Sequence, residues 1–149
     1  MAEQGTLYFL TGAAGEKKNA AGHLLAERLR ARRAGAALYL DDQILWPMFE
    51  IPLDTPESRR DLALEHELPL CRLMTGQGID VVLCSVVMSG DARAWLAENL
   101  PRFVEIFVPS GAEGETAPAG GLSVRAEGET PEEVVRCLET LLFSEVMEA

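Results

Sequence analysis

The chain has 149 residues, which suits a single domain with a sizeable core. Hydrophobic residues make up 48% and charged residues 25%, and 13 basic residues against 24 acidic ones give a net charge of −11. This charge argues against a nucleic-acid partner or an anionic membrane, because an acidic surface repels phosphate groups. No apolar run approaches the roughly 20 residues that span a bilayer, and the first residues lack a signal-peptide core, so we expect a soluble cytoplasmic protein.

The first half of the chain alternates short apolar runs with helical patterns. Strands are predicted at 6–10 and 36–40, and between them lies a helix. Thr55-Pro56-Glu57 offers an N-cap followed by a proline at the first helical position, so a second helix is predicted from there to about Met74. The apolar face predicted for the first helix is formed by Ala21, Leu24, Leu25 and Leu29.

The second half continues this alternation. The segment 79–87 is almost wholly apolar and β-branched, which predicts a strand inside a parallel sheet, buried on both faces. A helix is predicted from Ser89 to about Asn99, a strand at 103–109 and an edge strand at 122–126. A capping box at 130–133 begins the last helix. The apolar face predicted for that helix comprises Val134, Val135, Leu138, Leu141 and Leu142. The chain is therefore predicted to be a single α/β domain over 1–149, with a five-stranded parallel sheet and helices on both faces.

Cysteines and histidines do not form a recognisable metal or redox motif. Cys71, Cys84 and Cys137 lie far apart in apolar segments, which is typical of buried free thiols. His23 and His66 are isolated, and we expect packed or surface positions for both.

The segment after the first strand matches part of a phosphate-binding loop, which reads G-x-x-x-x-G-K-[ST]. Here Gly12 is followed, after four residues, by Lys17, Lys18 and Asn19. The lysine keeps its spacing, but lysine replaces the glycine before it and asparagine replaces the hydroxyl residue after it. Such a loop binds phosphate through backbone N–H groups at a helix N-terminus, and Gly12 and Gly15 leave that path available. The Lys17 side chain must either point away from the phosphate or enter its site.

Along most of its length the chain resembles the adenylylsulfate (APS) kinase family of P-loop kinases. The family's T-G-L-S-G-A-G-K-S-T corresponds to 11–20, and its L-D-G-D corresponds to Leu40-Asp41-Asp42-Gln43. The family's third strand, with the helix before it, is similar to 70–87. Its F-x-E-V-F-V strand is similar to 103–110, and its closing strand and helix are similar to 122–142.

The resemblance implies a P-loop NTPase-like three-layer sandwich with ATP and Mg²⁺ as weakly held cofactors. It makes Lys18 the phosphate-binding lysine, and it places Asp41 against the acceptor hydroxyl as a base or metal-orienting carboxylate. No metal ligand is assigned, because Asn19 offers Mg²⁺ only an amide oxygen. The nucleotide-binding residues that it implies are Gly12, Ala13, Ala14, Gly15, Lys17, Lys18 and Asn19.

The positions that bind the family's own substrate are altered. An Asn-Ile-Arg-Arg stretch corresponds to about Ala63-Leu64-Glu65-His66, and the arginine after L-D-G-D corresponds to Trp46. The S-P-[YF]-R turn corresponds to residues near 86–89. The long basic lid is shortened to 110–121, which contains no lysine or arginine. We therefore expect no phosphorylation of APS.

Three functions remain open on the sequence. The first is a degenerate kinase homologue, a pseudoenzyme with residual nucleotide or anion binding and a regulatory or scaffold role. The second is an active ATP-dependent small-molecule kinase with an altered acceptor, and the third is a pure protein-interaction module. If the loop binds anything, we expect an anion on the backbone amides of 13–18 and on Lys18, with the Lys17 ammonium near the vacant phosphate position.

Two further pairs of residues keep alternative interpretations. Asp41 and Asp42 either belong to the acceptor site or are solvated turn residues. Trp46 and Phe49 either line a pocket or pack in the core or at an interface, including that of a homodimer.

Overall fold

The computed structural model describes residues 4–12, 16–33, 36–52, 63–85, 90–109 and 123–148. In these segments five strands and five helices follow one another along the chain. The strands are β1 (Leu7–Thr11), β2 (Ala37–Asp41), β3 (Asp80–Cys84), β4 (Phe103–Phe107) and β5 (Ser123–Arg125). The helices are α1 (Glu16–Arg33), α2 (Asp42–Met48), α3 (Leu64–Gly76), α4 (Gly90–Asn99) and α5 (Pro131–Glu148).

The strands form one parallel sheet in the order β2-β3-β1-β4-β5. All five residues of β3 are buried, and β3 lies between β2 and β1, which confirms that the segment predicted over 79–87 contains an interior strand. The strand is shorter than predicted, since 79 and 85 lie outside it, and 86–87 lie outside the described residues. The predicted edge strand β5 is confirmed as well. An α/β fold with a five-stranded parallel sheet is thus what the alternation of apolar runs predicted.

Helices cover both faces of the sheet, so alternate residues of each strand enter different cores. Tyr8 and Leu10 of β1 pack in the core with α1 and α5, whereas Leu7 and Phe9 pack in the core with α2, α3 and α4. Ala21, Leu25 and Leu29 are buried and Leu24 is partly buried, so the predicted face of α1 is confirmed.

The predicted apolar face of α5 is confirmed except at one residue. Val134, Val135 and Leu138 are fully buried, and Leu142 packs partly against them. Leu141 is exposed, so its assignment to this face was wrong. It lies at the margin of the arc that the other four residues form around the helix axis, and there the side chain reaches solvent.

Two helix starts differ from the sequence interpretation. Helix α1 already begins at Glu16, so Lys17, Lys18 and Asn19 lie in its first turn, and 12–19 is not wholly a turn as predicted. Helix α2 was not predicted at all, because it is short and contains Pro47. The predicted start of α3 at 55–57 lies outside the described residues.

The capping box at the start of α5 is confirmed. Thr130 Oγ1 accepts a hydrogen bond from the Glu133 N–H at 3.2 Å, and the Glu133 carboxylate accepts one from the Glu129 N–H at 2.8 Å. In a capping box the glutamate is expected to accept from the N–H of the capping residue itself, which is Thr130 here. The Glu133 carboxylate instead binds the N–H of Glu129, one residue earlier.

Most of the predicted cysteine and histidine environments are confirmed. Cys71 and Cys84 are buried free thiols, whereas Cys137 is only half-buried. The exposed His23 ring stacks on Tyr39, and the exposed His66 ring stacks on Phe49. None of the described helices is long and apolar enough to cross a membrane.

Candidate functional site

The residues predicted to carry chemistry meet at the carboxyl ends of β1, β2 and β3. These strands end at Thr11, Asp41 and Cys84, and α1 begins shortly after β1 at the same edge. In open parallel sheets ligands bind at this edge, beside the N-termini of the helices that follow the strands. Gly12, Lys17, Lys18, Asn19 and Asp41 are found here, whereas Ala13, Ala14 and Gly15 lie outside the described residues.

Gly12 is required by the backbone where β1 leaves the sheet. Its φ is +136°, and an added Cβ would lie 2.4 Å from the carbonyl oxygen of Val108. The Val108 N–H donates to the Thr11 carbonyl at 2.9 Å, which keeps the end of β4 close to this turn. Close packing of the two strand ends is therefore a sufficient reason for this glycine, with or without a ligand.

Lys18 reaches from the first turn of α1 to the end of β3. Its Nζ donates to the carbonyl oxygen of Ser85 at 3.1 Å, and only 8% of the residue is exposed. Burial lowers the pKa of this ammonium, while the nearby Cys84 thiol and the carboxylates of Asp42 and Asp41 act in the opposite direction. The first turn of α1 thus places a buried ammonium group at the carboxyl edge of the sheet, next to the end of β3.

Lys17 points to the other side of β1. Its Nζ donates to the carbonyl oxygen of Gly128 at 3.1 Å, in the loop between β5 and α5. Because β3 and β5 lie on opposite sides of β1, the ammonium groups of Lys17 and Lys18 diverge. The Lys17 side chain therefore points away from that of Lys18. Asn19 is half-buried in the same turn of α1.

Both carboxylate oxygens of Asp41 are used within the protein. Oδ1 accepts from the Ile44 N–H at 2.9 Å and thereby caps the N-terminus of α2, while Oδ2 accepts from the Tyr39 hydroxyl at 2.8 Å. Burial raises the pKa of Tyr39, and its bond to Asp41 adds to this shift. Asp41 is buried and Asp42 is half-buried, so neither is a solvated turn residue.

Asp42, Ser85 and Glu67 form a buried acidic cluster at the end of β3. The Ser85 hydroxyl oxygen lies 2.6 Å from Asp42 Oδ1 and 3.0 Å from Glu67 Oε1. Burial and the Asp42 charge raise the pKa of Glu67 to about 9, and burial raises the pKa of Asp42. A serine hydroxyl has one proton, so Ser85 donates to one of the two carboxyl groups and accepts a hydrogen bond from the other, which is protonated. The two carboxyl groups thus hold one proton between them near neutral pH.

Trp46 packs against this cluster and leaves two polar atoms without partners. Its indole N–H is close enough to Glu67 to lower the pKa of that carboxyl, although burial outweighs this effect. Neither Trp46 Nε1 nor Glu67 Oε2 has a hydrogen-bond partner within the described part of the chain, and both atoms are buried. Trp46 and Phe49 belong to the core of α3 and α4, which favours the packing interpretation of these aromatic residues.

Glu67 and Ser85 were not predicted as site residues from the sequence. The available signal was an acidic residue within the apolar stripe of α3, because Glu67 is three residues after Leu64 and four before Cys71. Ala63 and Leu64, which correspond to part of the family's Asn-Ile-Arg-Arg stretch, are buried. Residues 86–89 and the shortened lid at 110–121 lie outside the described residues.

Comparison with solved structures places this fold among P-loop kinases. A hexameric APS kinase from Thiobacillus denitrificans matches with a TM-score of 0.75 and 23% identity, over 96% of this chain and 30% of that protein. The APS kinase CysC of Mycobacterium tuberculosis, in complex with AMPPNP and APS, matches with a TM-score of 0.67 and 16% identity, over 93% of this chain and 98% of that one. A gluconokinase from Sinorhizobium meliloti matches with a TM-score of 0.54 and 15% identity, over 100% and 99% of the two chains.

No protein-family model matches the sequence, and no curated protein matches it. This chain spans less than a third of the length of the Thiobacillus protein. Identities this low show a shared fold and nothing finer, so the architecture predicted from the sequence is confirmed while activity is left to experiment. The five parallel strands in the order β2-β3-β1-β4-β5, with helices on both faces, are a P-loop kinase-like fold similar to that of small-molecule kinases.

Proposed function

We propose that this protein binds a phosphate-bearing anion at the start of α1 and is a degenerate relative of APS kinases with a regulatory or scaffold role. The observation that carries the proposal is the Lys18 ammonium, which is buried at the carboxyl edge of the sheet in the first turn of α1. Burial lowers its pKa, so a bound anion would stabilise the charged form of the lysine. The partial positive charge of the α1 N-terminus acts in the same sense.

A nucleotide or a simple anion fits this arrangement better than a tight Mg-ATP complex does. Asn19 occupies the position at which the motif supplies a hydroxyl to Mg²⁺, and its amide oxygen is a poorer ligand. Lys17 occupies the position at which the motif has glycine, so the backbone approaches phosphate less freely there. We therefore expect anion binding to depend little on magnesium.

The acceptor side of the same edge is unsuited to APS. Asp42 and Glu67 bring carboxyl groups to the end of β3, and Ala63, Glu65 and His66 stand where the family has one asparagine and two arginines. APS is an anion, and the one negative charge that Asp42 and Glu67 share repels it in a poorly solvated site. We expect no conversion of APS with Mg-ATP, and measurable conversion at ordinary enzyme concentration would overturn this part of the proposal.

The two neighbouring lysines provide a matched test by calorimetry. Pyrophosphate and ATP are titrated into the unmutated chain, Lys18→Met and Lys17→Met, with and without Mg²⁺. Loss of a charged hydrogen bond costs about 1.5 kcal/mol or more, so Lys18→Met should weaken binding by about tenfold or more. Lys17→Met should change it by less than about threefold, since Lys17 is bound to Gly128. Equal effects of the two substitutions would contradict the assignment of Lys18.

An active kinase with an altered acceptor is the second candidate. It is favoured by the position of Lys18 and Asp41 at one edge of the sheet, because phosphoryl transfer depends mainly on positioning and charge neutralisation. ADP release from Mg-ATP that depends on an added alcohol, and is lost in Lys18→Met, would favour this candidate over the degenerate one. If neither pyrophosphate nor ATP binds, the protein-interaction module is the function that remains.

A further inference from the structure

We propose that anion binding at Lys18 and proton binding by the carboxyl pair of Asp42 and Glu67 are linked, so that each strengthens the other. The linkage rests on the anion site proposed at the start of α1, and it makes that site sensitive to pH. Ser85 joins the two sites. Its carbonyl oxygen accepts from Lys18 Nζ at 3.1 Å, and its hydroxyl oxygen lies 2.6 Å from Asp42 Oδ1 and 3.0 Å from Glu67 Oε1. One residue at the end of β3 therefore places the cation of the anion site beside two carboxyl groups.

The geometry of the carboxyl pair requires a shared proton. Both carboxyl groups contact the same Ser85 hydroxyl, which has one proton to donate, so the second contact is a hydrogen bond only when its carboxyl group is protonated. Two carboxylates this close also repel each other, which favours retention of the proton. The pair therefore carries one negative charge near neutral pH, none when a second proton binds, and two when the shared proton is lost at high pH.

Lys18 stabilises the negative charge of the pair. Its ammonium attracts the carboxylate of Asp42 and so lowers the pKa of Asp42, against the larger effect of burial. An anion bound to this ammonium offsets the attraction and adds negative charge beside the pair. Glu67 is fully buried and Asp42 is half-buried, so little water screens this repulsion. The pair should therefore hold protons more tightly when the anion is bound, and by reciprocity the affinity for the anion should fall as the pH rises.

Besides Lys18, two thiols and one carboxylate of the described residues face the pair from neighbouring elements. They are Cys71 of α3, Cys84 of β3 and Asp41 of β2. Burial raises the pKa of both thiols to about 12, so they stay neutral at physiological pH. The Asp41 carboxylate accepts two hydrogen bonds within the protein, which hold it in place. Lys18 can itself gain a proton when an anion binds, because burial lowers its pKa. The experiment therefore has to observe the carboxyl groups directly.

Carbon NMR of the side-chain carboxyl groups measures the protonation of the pair. The signals of Asp42 and Glu67 are followed from about pH 5 to about pH 10, in sodium sulfate and in sodium chloride of equal ionic strength. Sulfate stays fully ionised over this range, whereas pyrophosphate does not. The backbone amide signals of Lys18 and Asn19 report whether sulfate saturates the site. We expect saturating sulfate to raise the apparent midpoints of the pair by at least about half a pH unit, which is about a threefold change in proton affinity.

The two proposals fail in different ways. If sulfate saturates the amide signals of Lys18 and Asn19 but leaves the carboxyl midpoints unchanged, the linkage is wrong and the anion site stands. If sulfate changes neither set of signals and pyrophosphate does not bind, the anion site is wrong and the linkage falls with it.

Variants test whether the charge of the pair limits anion binding. The double change Asp42→Asn and Glu67→Gln removes both titrating groups and keeps their shape, so it should tighten sulfate binding at about pH 7 by at least about threefold. Glu65→Gln, which removes an exposed carboxylate of α3, should bind sulfate as the unmutated chain does. In Lys18→Met the same concentration of sulfate should leave the carboxyl midpoints unchanged. Equal sulfate affinity in the double variant and the unmutated chain would contradict the linkage. If the double variant does not fold, the carboxyl titration of the unmutated chain decides.

Discussion

Replacing Glu67 with glutamine should remove a pH dependence of the free energy of unfolding. This dependence results from the burial of the Glu67 carboxyl group in α3. Glu67 is fully buried, and its pKa is raised from 4.5 to about 9, first by burial and then by the Asp42 charge. The folded chain therefore keeps a proton that the unfolded chain releases above its ordinary pKa. The stability that this proton provides is fully present below about pH 4.5 and is lost as the pH rises towards about 9.

The expected size of this effect is large compared with the stability of a small domain. Each pH unit between the two values contributes about 1.4 kcal/mol, so this group lowers the free energy of unfolding by up to about 4 kcal/mol between about pH 5 and about pH 8. Glutamine mimics the protonated acid, because its amide donates to Ser85 and its charge is fixed at zero. The variant should therefore gain stability relative to the unmutated chain as the pH rises.

Urea unfolding at several pH values between about 5 and about 8 measures this difference. The control is Glu65→Gln, which removes a charge from an exposed position two residues earlier in α3. Its stability should follow the profile of the unmutated chain. Parallel profiles for Glu67→Gln and the unmutated chain would show that Glu67 is ionised in the fold, and would refute the shared proton.

Three further variants test other parts of the structure. Two nitrogens of the Arg93 guanidinium lie 2.8 and 2.9 Å from the carboxylate oxygens of the buried Glu105. Arg93→Met leaves this carboxylate buried without its partner, so it should lower the free energy of unfolding by about 3 kcal/mol or more in urea titrations. Gly22→Ala would place a Cβ 2.6 Å from the Cys84 sulfur, and should destabilise the chain by about 1–3 kcal/mol in the same assay. The double change Lys17→Gly and Asn19→Ser should raise the Mg-ATP affinity measured by calorimetry by about tenfold, roughly 1.4 kcal/mol.

Each of these predictions has an internal comparison. Arg125→Met breaks an exposed pair with Glu127 and should cost less than about 1 kcal/mol, so an equal loss in Arg93→Met would contradict the buried role of Glu105. Gly76→Ala adds a Cβ with nothing within 4 Å and should be neutral or stabilising by up to about 1 kcal/mol. The unmutated chain could already bind Mg-ATP at micromolar concentration, with an affinity that the double change leaves unaltered. That result would show that Lys17 and Asn19 do not limit nucleotide binding by the loop.

The amino-acid sequence by itself determined the layout of the fold. A run as apolar as 79–87 can be stable only where both faces are covered, so its place inside the sheet followed from composition. Periodicity likewise located the buried faces of α1 and most of that of α5, and the lysine spacing brought Lys18 to the start of a helix after the first strand. These features depend on residues close together in the chain, which is why local patterns reveal them.

Only the tertiary structure decided what the site residues contact. Lys17 and Lys18 are adjacent in sequence, yet they bind carbonyl groups 111 and 67 residues away on opposite sides of β1. The cluster of Asp42, Glu67 and Ser85 similarly joins three distant segments, and the raised pKa of Glu67 results from burial that no local pattern reports. Side-chain direction and protonation are set by neighbours that the sheet order and the helix packing bring together, so they follow from the folded chain as a whole.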